Sequence, residues 1–222
     1  MPKKRPYDQH CPIARALDVV GDRWSLLIVR ELFLGPARYG ELLATLETIS
    51  TDVLAKRLRE LEATGIVDPQ DGGRYALTAH GRSLAPVLQA LGRWGRPLLA
   101  TPDAEDELTA IRALLMLVIP SAGIDLGTEQ TTELRVGEVI FTLTSGSDGL
   151  IARRGPPSDA DAVVTTDGLT LWAIGSKQLS WADAVSSGAL QIDGDPAAAA
   201  QLLARPEAVV DDSARQDSAL LS

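Results

Sequence analysis

Residues 49–61 read ISTDVLAKRLREL, and this stretch decides how the rest of the chain is read. Ser50 has the chemistry of a helix N-cap, because its hydroxyl can accept from the unpaired amides of a first turn. Asp52 places a carboxylate in that turn, where the helix dipole favours it. Leu54, Leu58 and Leu61 recur at i, i+4 and i+7 and make one apolar stripe. Thr51, Ala55, Lys56 and Arg59 fall on the opposite side, with Arg57 at its flank. A short helix with an apolar back and a basic, hydroxyl-bearing front fits the major groove of DNA.

The neighbours strengthen this reading. Residues 39–46 form a second short helix and residues 47–49 a tight turn, so the pair matches a helix-turn-helix. Thr64-Gly65 supplies a helix stop. Two short strands, IVDP and RYALT, then flank Gln70-Asp71-Gly72-Gly73, a strong hairpin signal. A hairpin directly after a recognition helix is a wing, and Arg74 lies beside its tip.

Upstream, residues 12–20 read as a helix with Ile13, Ala16, Leu17 and Val20 inward, broken by Gly21-Asp22. Residues 24–34, WSLLIVRELFL, are apolar around most of the helix circumference, which makes this the central core helix. Downstream, Thr78 caps a long helix over residues 79–99. Its stripe of Leu84, Val87, Leu88, Leu91 and Trp94 exceeds what one small domain covers, so it is predicted to pack on a second subunit. Lys3, Lys4 and Arg5 form a basic terminal arm.

Residues 100–104 read as a linker, and residues 106–119 as an apolar helix stopped by Pro120. The period then changes to two, with strands at 132–136, 139–144, 150–153 and 162–166. Asp167 and Ser180 cap short helices at 169–174 and 181–187. A last strand at 190–193 precedes an Ala-rich helix at 196–204 and an acidic tail. Asp193 and Asp195 resemble a paired-carboxylate site but read as caps of that helix.

Charge separates the two halves. Residues 1–100 carry 14 Lys+Arg against 11 Asp+Glu, a net of +3, while residues 101–222 carry 7 against 19, a net of −12. The first half can approach phosphate and the second should face away from it. Cys11 is the only cysteine, so no intrachain disulfide can form. Two histidines and no Cys/His cluster argue against a transition-metal site, and no cofactor is expected. The start is polar and no apolar run approaches the roughly 20 residues of a membrane helix, so a cytoplasmic protein is expected. There is no phosphate-binding Gly loop, nucleophile elbow or Ser-His-Asp set, which points away from an enzyme.

Residues 11–99 resemble an HxlR-type winged-helix transcriptional regulator. The resemblance rests on Cys11-Pro12-Ile13, Gly21-Asp22-Arg23-Trp24 with Leu26-Leu27-Ile28, Arg30-Glu31-Leu32, Gly35-Pro36 and Arg38-Tyr39-Gly40-Glu41-Leu42. It continues through Ile49-Ser50, Leu54, Arg57-Leu58-Arg59-Glu60-Leu61-Glu62, Gly65-Ile66-Val67, Tyr75-Ala76-Leu77-Thr78 and Gly81-Arg82. It implies a homodimer, paired through terminal helices, on a palindromic operator in double-stranded DNA. The wing departs from the family pattern, since Arg74 is its one basic residue. The second half is similar to a sterol-carrier-protein-type (type two) domain, on Asp161 to Asp167, Leu171-Trp172-Ala173-Ile174, Leu179-Ser180-Trp181-Ala182-Asp183-Ala184 and Gly188 to Pro196. That likeness implies a mixed sheet with helices on one face, enclosing an apolar tunnel for lipid-like molecules.

The expected fold class is therefore α+β, a winged helix-turn-helix DNA-binding domain over 1–100 followed by a mixed α/β sterol-carrier-like domain over 101–222. DNA contacts are expected from Arg38, Tyr39, Ser50, Thr51, Lys56, Arg57, Arg59 and Arg74. Phe141, Leu171, Trp172, Leu179 and Trp181 are the expected lining of a site for an apolar effector. Cys11, near a helix N-terminus where a thiol can become reactive, is the candidate for redox sensing. The expected function is a DNA-binding transcriptional regulator modulated by an apolar small molecule. The alternatives are a thiol-based sensor acting through Cys11 and a lipid carrier.

Overall fold

The computed structural model describes residues 6–103 and 106–195, with Ala198 and Ala199. The basic arm at Lys3 to Arg5, the acidic tail and the helix expected at 196–204, apart from Ala198 and Ala199, lie outside the described residues.

The first half is a winged helix. Helices α1 (Pro12–Val20) and α2 (Ser25–Leu32) precede a two-residue strand, β1 (Ala37–Arg38). Helices α3 (Tyr39–Thr45) and α4 (Thr51–Ala63) follow, then the hairpin strands β2 (Val67–Gln70) and β3 (Arg74–Leu77). The three strands form an antiparallel sheet in the order β1-β3-β2. Gly72 and Gly73 turn the hairpin with φ of 74° and 71°, a region that favours glycine.

Helix α1 spans the residues its pattern predicts, but its orientation differs. Val20 and Ala14 are buried, whereas Ile13 is 70% exposed and Leu17 and Ala16 also face out. No other element of the described chain covers that stripe.

The single helix expected over 79–99 is broken. Helix α5 (Ala79–Arg82) ends at Ser83, α6 (Ala85–Gly95) restarts, and a 3-10 turn, Arg96–Leu98, closes the segment. Pro86 is the cause: it has no N–H to donate and crowds the preceding residue, so it is tolerated only in a first turn. The chain accordingly begins a new helix at Ala85. Leu84 and Leu88 are half-buried, while Val87, Leu91 and Trp94 stay exposed. Part of α6 is covered within the chain, because Gln89 Nε2 donates to the Ile119 carbonyl at 2.9 Å.

That carbonyl belongs to α7 (Glu107–Ser121), the helix that opens the second half. Asp106 caps it, accepting from the Thr109 amide at 2.7 Å. The Thr109 amide and its hydroxyl hold the Asp106 carboxyl below the usual carboxylate range. The carboxyl is thus depressed in the folded state, so its contribution is complete at neutral pH and is lost as pH falls through the lowered value. Replacing Asp106 with Ala should cost about 1 kcal/mol of stability at neutral pH, and thermal melts should show the difference from wild type shrinking in acid. Pro120 sits inside the last turn rather than stopping the helix before it. It forgoes only its own bond, and Ser121 Oγ donates to the Leu117 carbonyl at 2.9 Å to close the end.

Strands β4 (Gln130–Val136), β5 (Val139–Gly146), β6 (Gly149–Arg154) and β7 (Ala162–Thr166) follow. Helices α8 (Gly168–Gly175) and α9 (Trp181–Ser186) and strand β8 (Leu190–Gly194) complete the described chain. The sheet order is β6-β5-β4-β7-β8, with β4 and β7 parallel and every other pair antiparallel, so the sheet is mixed. Its register puts Leu134, Phe141, Leu143, Ala152, Ala162 and Val164 on one buried face. Thr131, Glu133, Thr142, Thr144 and Arg153 fall on the other, the usual division of a sheet covered on one side. Helix α7 is the hub. Ile111, Leu114, Leu115 and Val118 are buried, each worth about 1.5–3 kcal/mol of apolar burial. The buried side chains of both halves form one continuous apolar cluster.

Candidate nucleic-acid interface

Helix α4 is fixed from behind. Leu54, Leu58 and Leu61 are essentially inaccessible, and Ser50 Oγ accepts from the Val53 amide at 3.4 Å as the N-cap. Its start is tied to the start of α3, because the Tyr39 hydroxyl donates to the Thr51 carbonyl at 2.5 Å. Helix α3 is itself capped by Glu41, whose carboxylate accepts from the Arg38 amide at 2.7 Å. Tyr39 is therefore engaged in holding the two helices together, and Ser50 in capping α4.

Between them, Glu47 turns the chain with φ of 48°, an uncommon left-handed conformation for a non-glycine residue. Its carboxylate pairs with Arg112 of α7. The second half thus touches the helix-turn-helix at its turn.

The expected DNA-contacting side chains fall into two groups. Thr51 is exposed at the first turn of α4 and Arg59 on the face away from the leucines, and Arg59 has no ion pair among the described residues. Lys56 is half-exposed, with Glu60 3.9 Å away. Arg38 is exposed at the start of α3. Arg57 is placed differently: its side chain is only 12% exposed and its guanidinium donates to Asp22 and Glu60. It braces α4 against the turn between α1 and α2. Arg74, exposed beside the tip of the wing, donates to the Pro36 carbonyl at 3.4 Å.

Sequence reasoning assigns no ion pair to Asp22, Glu47 or Arg112. Asp22 stands 35 residues from Arg57, and Glu47 stands 65 from Arg112. Periodicity reports which face a residue occupies, and no local pattern reports such long-range pairs.

The other candidates lie elsewhere. Cys11 is the half-buried N-cap residue of α1 and is a free thiol. Phe141, Leu171 and Trp172 are buried between the sheet and its helices, while Leu179 and Trp181 are half-buried against the same cluster. Two clefts are formed by other residues, and none of these five lines either. Among the described residues no group of His, Cys, Asp and Glu could hold a metal ion. No helix among them is long and apolar enough to cross a membrane.

Residues 19–102 match the model of the HxlR-like helix-turn-helix family. An HTH-type transcriptional regulator from Synechocystis sp. is 41% identical over 104 residues, covering 44% of this chain and 77% of that protein. The HTH-type transcriptional regulator YvaP of Bacillus subtilis is 40% identical over 91 residues, covering 38% of this chain and 84% of that protein. Among solved structures, quinone-bound YodB from B. subtilis aligns with 39% identity over 39% of this chain and 98% of that one, with a TM-score of 0.37. Identity at this level, over most of the length of both regulators, settles the kinship of the winged-helix half: the chain belongs to the HxlR-like helix-turn-helix family of transcriptional regulators.

Proposed function

We propose that the protein is a homodimeric regulator in which residues 1–100 bind a palindromic operator and residues 101–222 form an effector domain. Lys56, Arg59 and Thr51 enter the major groove and Arg74 approaches the minor groove. Arg38 contacts the backbone at the start of α3. Tyr39, Ser50 and Arg57 hold α4 in place for those contacts. The observation that carries this reading is the N-capped α4, buried on its leucine face and presenting Arg59 and Lys56 on the other. A dimer would read half-sites about 10 bp apart or a multiple of that.

Exposed apolar residues support the dimer. Ile13 and Leu17 on α1, Val87, Leu91 and Trp94 on α6, and Leu98 after it all face solvent in the single chain. Trp94 is 75% exposed, a large apolar surface for a lone subunit to leave in water. Leu91→Asp should convert the dimer to a monomer by sedimentation. It should also weaken DNA binding more than tenfold, because each subunit then contacts one half-site alone. A dimer that persists in this variant would overturn the pairing surface.

The five-stranded mixed sheet with its helices on one face supports a sterol-carrier-like identity for the second half. Phe141, Leu171 and Trp172 close its apolar face, so an apolar ligand enters by moving α8 and α9. Leu179 and Trp181, at that junction, are the side chains such a movement uncovers. A ligand regulates only through different affinities for the DNA-competent and incompetent states. Fatty acids added at fixed ionic strength should therefore shift DNA affinity. No shift would sink the apolar effector, and a shift induced instead by an electrophile and abolished by Cys11→Ser would assign the signal to the thiol.

A further inference from the structure

A cleft of about 190 Å³ lies where the two halves meet. The winged helix contributes the loop Leu34-Gly35-Pro36-Ala37, residues of α3 and Arg74 beside the tip of the wing. The sheet contributes Arg153 and Arg154 at the end of β6. The halves are closely packed at this seam: a Cβ on Gly35 would lie 3.5 Å from the Arg153 side chain and from the Ala152 carbonyl.

The charges here are unusual for an acidic half. Of its cations, Arg112 pairs with Glu47, Arg135 with Glu133 and Arg154 with Glu107. The Arg153 side chain makes no ion pair or hydrogen bond among the described residues, and it lines this cleft as well as a second one on the sheet. Arg74 spends one N–H on a 3.4 Å bond to Pro36 and has no acidic partner among the described residues. Two arginines, one from each half, therefore line one cleft with donors to spare.

Glu31 and Glu41 also line it, but each is held by a donor. Glu31 takes two bonds from Arg30, at 2.9 and 2.5 Å, and Glu41 accepts the Arg38 amide. Their charge disfavours a dianion such as phosphate and leaves room for a single carboxylate. The planar guanidinium fork matches a carboxylate in two-bond geometry. Leu34, Pro36 and Ala37 supply an apolar wall for the rest of the molecule. A cleft of this size admits a short-chain monocarboxylate.

We propose that this cleft binds a small monocarboxylate between Arg153 and Arg74, and that the bound anion competes with DNA for Arg74. The competition rests on the DNA-binding role given to Arg74 above. By linkage, any factor by which the carboxylate weakens DNA binding is the factor by which DNA weakens the carboxylate.

The test has two arms on the full chain. In the first, without DNA, butyrate is titrated by calorimetry at constant ionic strength, with 1-butanol and inorganic phosphate as comparisons. Butyrate should bind, butanol and phosphate should not, and Arg153→Ala should weaken butyrate at least tenfold. Arg153→Gln, which keeps the aliphatic stem against Gly35, should behave like the alanine variant. Absence of butyrate binding, or equal binding by both variants and wild type, overturns the site. In the second arm, saturating butyrate should lower the affinity of wild type for duplex DNA several-fold and leave Arg153→Ala unchanged. Arg153-dependent butyrate binding with unaltered DNA affinity overturns the competition. A protein that binds butyrate through Arg153 but binds no duplex supports the site and sinks the DNA reading of Arg74.

Discussion

Replacing Lys56 and Arg59 together with Ala lowers affinity for a duplex selected from a random pool by about a hundredfold or more. Each side chain that reaches a base edge is worth about 1–3 kcal/mol of binding, and the two stand on one exposed face of α4. Arg59 has no ion pair among the described residues, and Lys56 faces Glu60 at 3.9 Å, so neither is needed to hold the fold. The melting temperature should therefore stay near that of wild type. The salt dependence of binding distinguishes a phosphate partner from a base partner. Removing a side chain that neutralises a phosphate reduces the slope of log affinity against log salt by about one, whereas removing one that reads a base changes which duplex is preferred. Fluorescence anisotropy over a range of salt separates these outcomes. Unchanged affinity in the double variant would refute α4 as the recognition helix.

The opposite behaviour is expected of Gly149→Ala, which should unfold the protein easily while touching no functional side chain. Gly149 begins β6 with φ of 94°, and an added Cβ would lie 1.9 Å from the Ser121 carbonyl and 3.1 Å from the Gly123 nitrogen. Both are backbone atoms, where no side chain can swing aside. The Gly123 amide donates to the Asp148 carbonyl at 2.8 Å, which fixes the end of α7 against this turn. Backbone strain and overpacking each cost about 1–3 kcal/mol, so a loss of about 3–4 kcal/mol is expected by chemical denaturation. A loss below about 1 kcal/mol would show that the end of α7 moves freely from the sheet.

The residues that make local structure are legible in the sequence alone. Ser50, Asp167 and Ser180 all cap the helices expected of them, because a cap is written in four consecutive residues. The hairpin at Gly72 and Gly73 is likewise local. Orientation is less legible. The apolar stripe of α1 reads as inward, yet Ile13 and Leu17 face out, since periodicity identifies an apolar face without saying what covers it. Pro86 is visible in the sequence, but the long apolar stripe around it masks the break it causes. Arg57 carries the same charge signal as Lys56 and Arg59, and only the placement of Asp22 distinguishes it. The cleft beside Arg153 has no local signal, because its walls come from segments far apart in the chain, Arg74 and the loop at Gly35 among them.

The continuous apolar cluster also bears on how this protein is assembled. Helix α7 buries Ile111, Leu114 and Val118 in a core shared by the winged helix and the mixed sheet. The winged helix is then not a detachable module. Cutting the chain near residue 100 would uncover apolar surface on α2 and α6 and remove Arg112 from the turn at Glu47. The two halves should therefore melt together as one cooperative unit, and a disturbance in the acidic half should reach the DNA-reading half as a change in its folding free energy, without any dedicated relay between them.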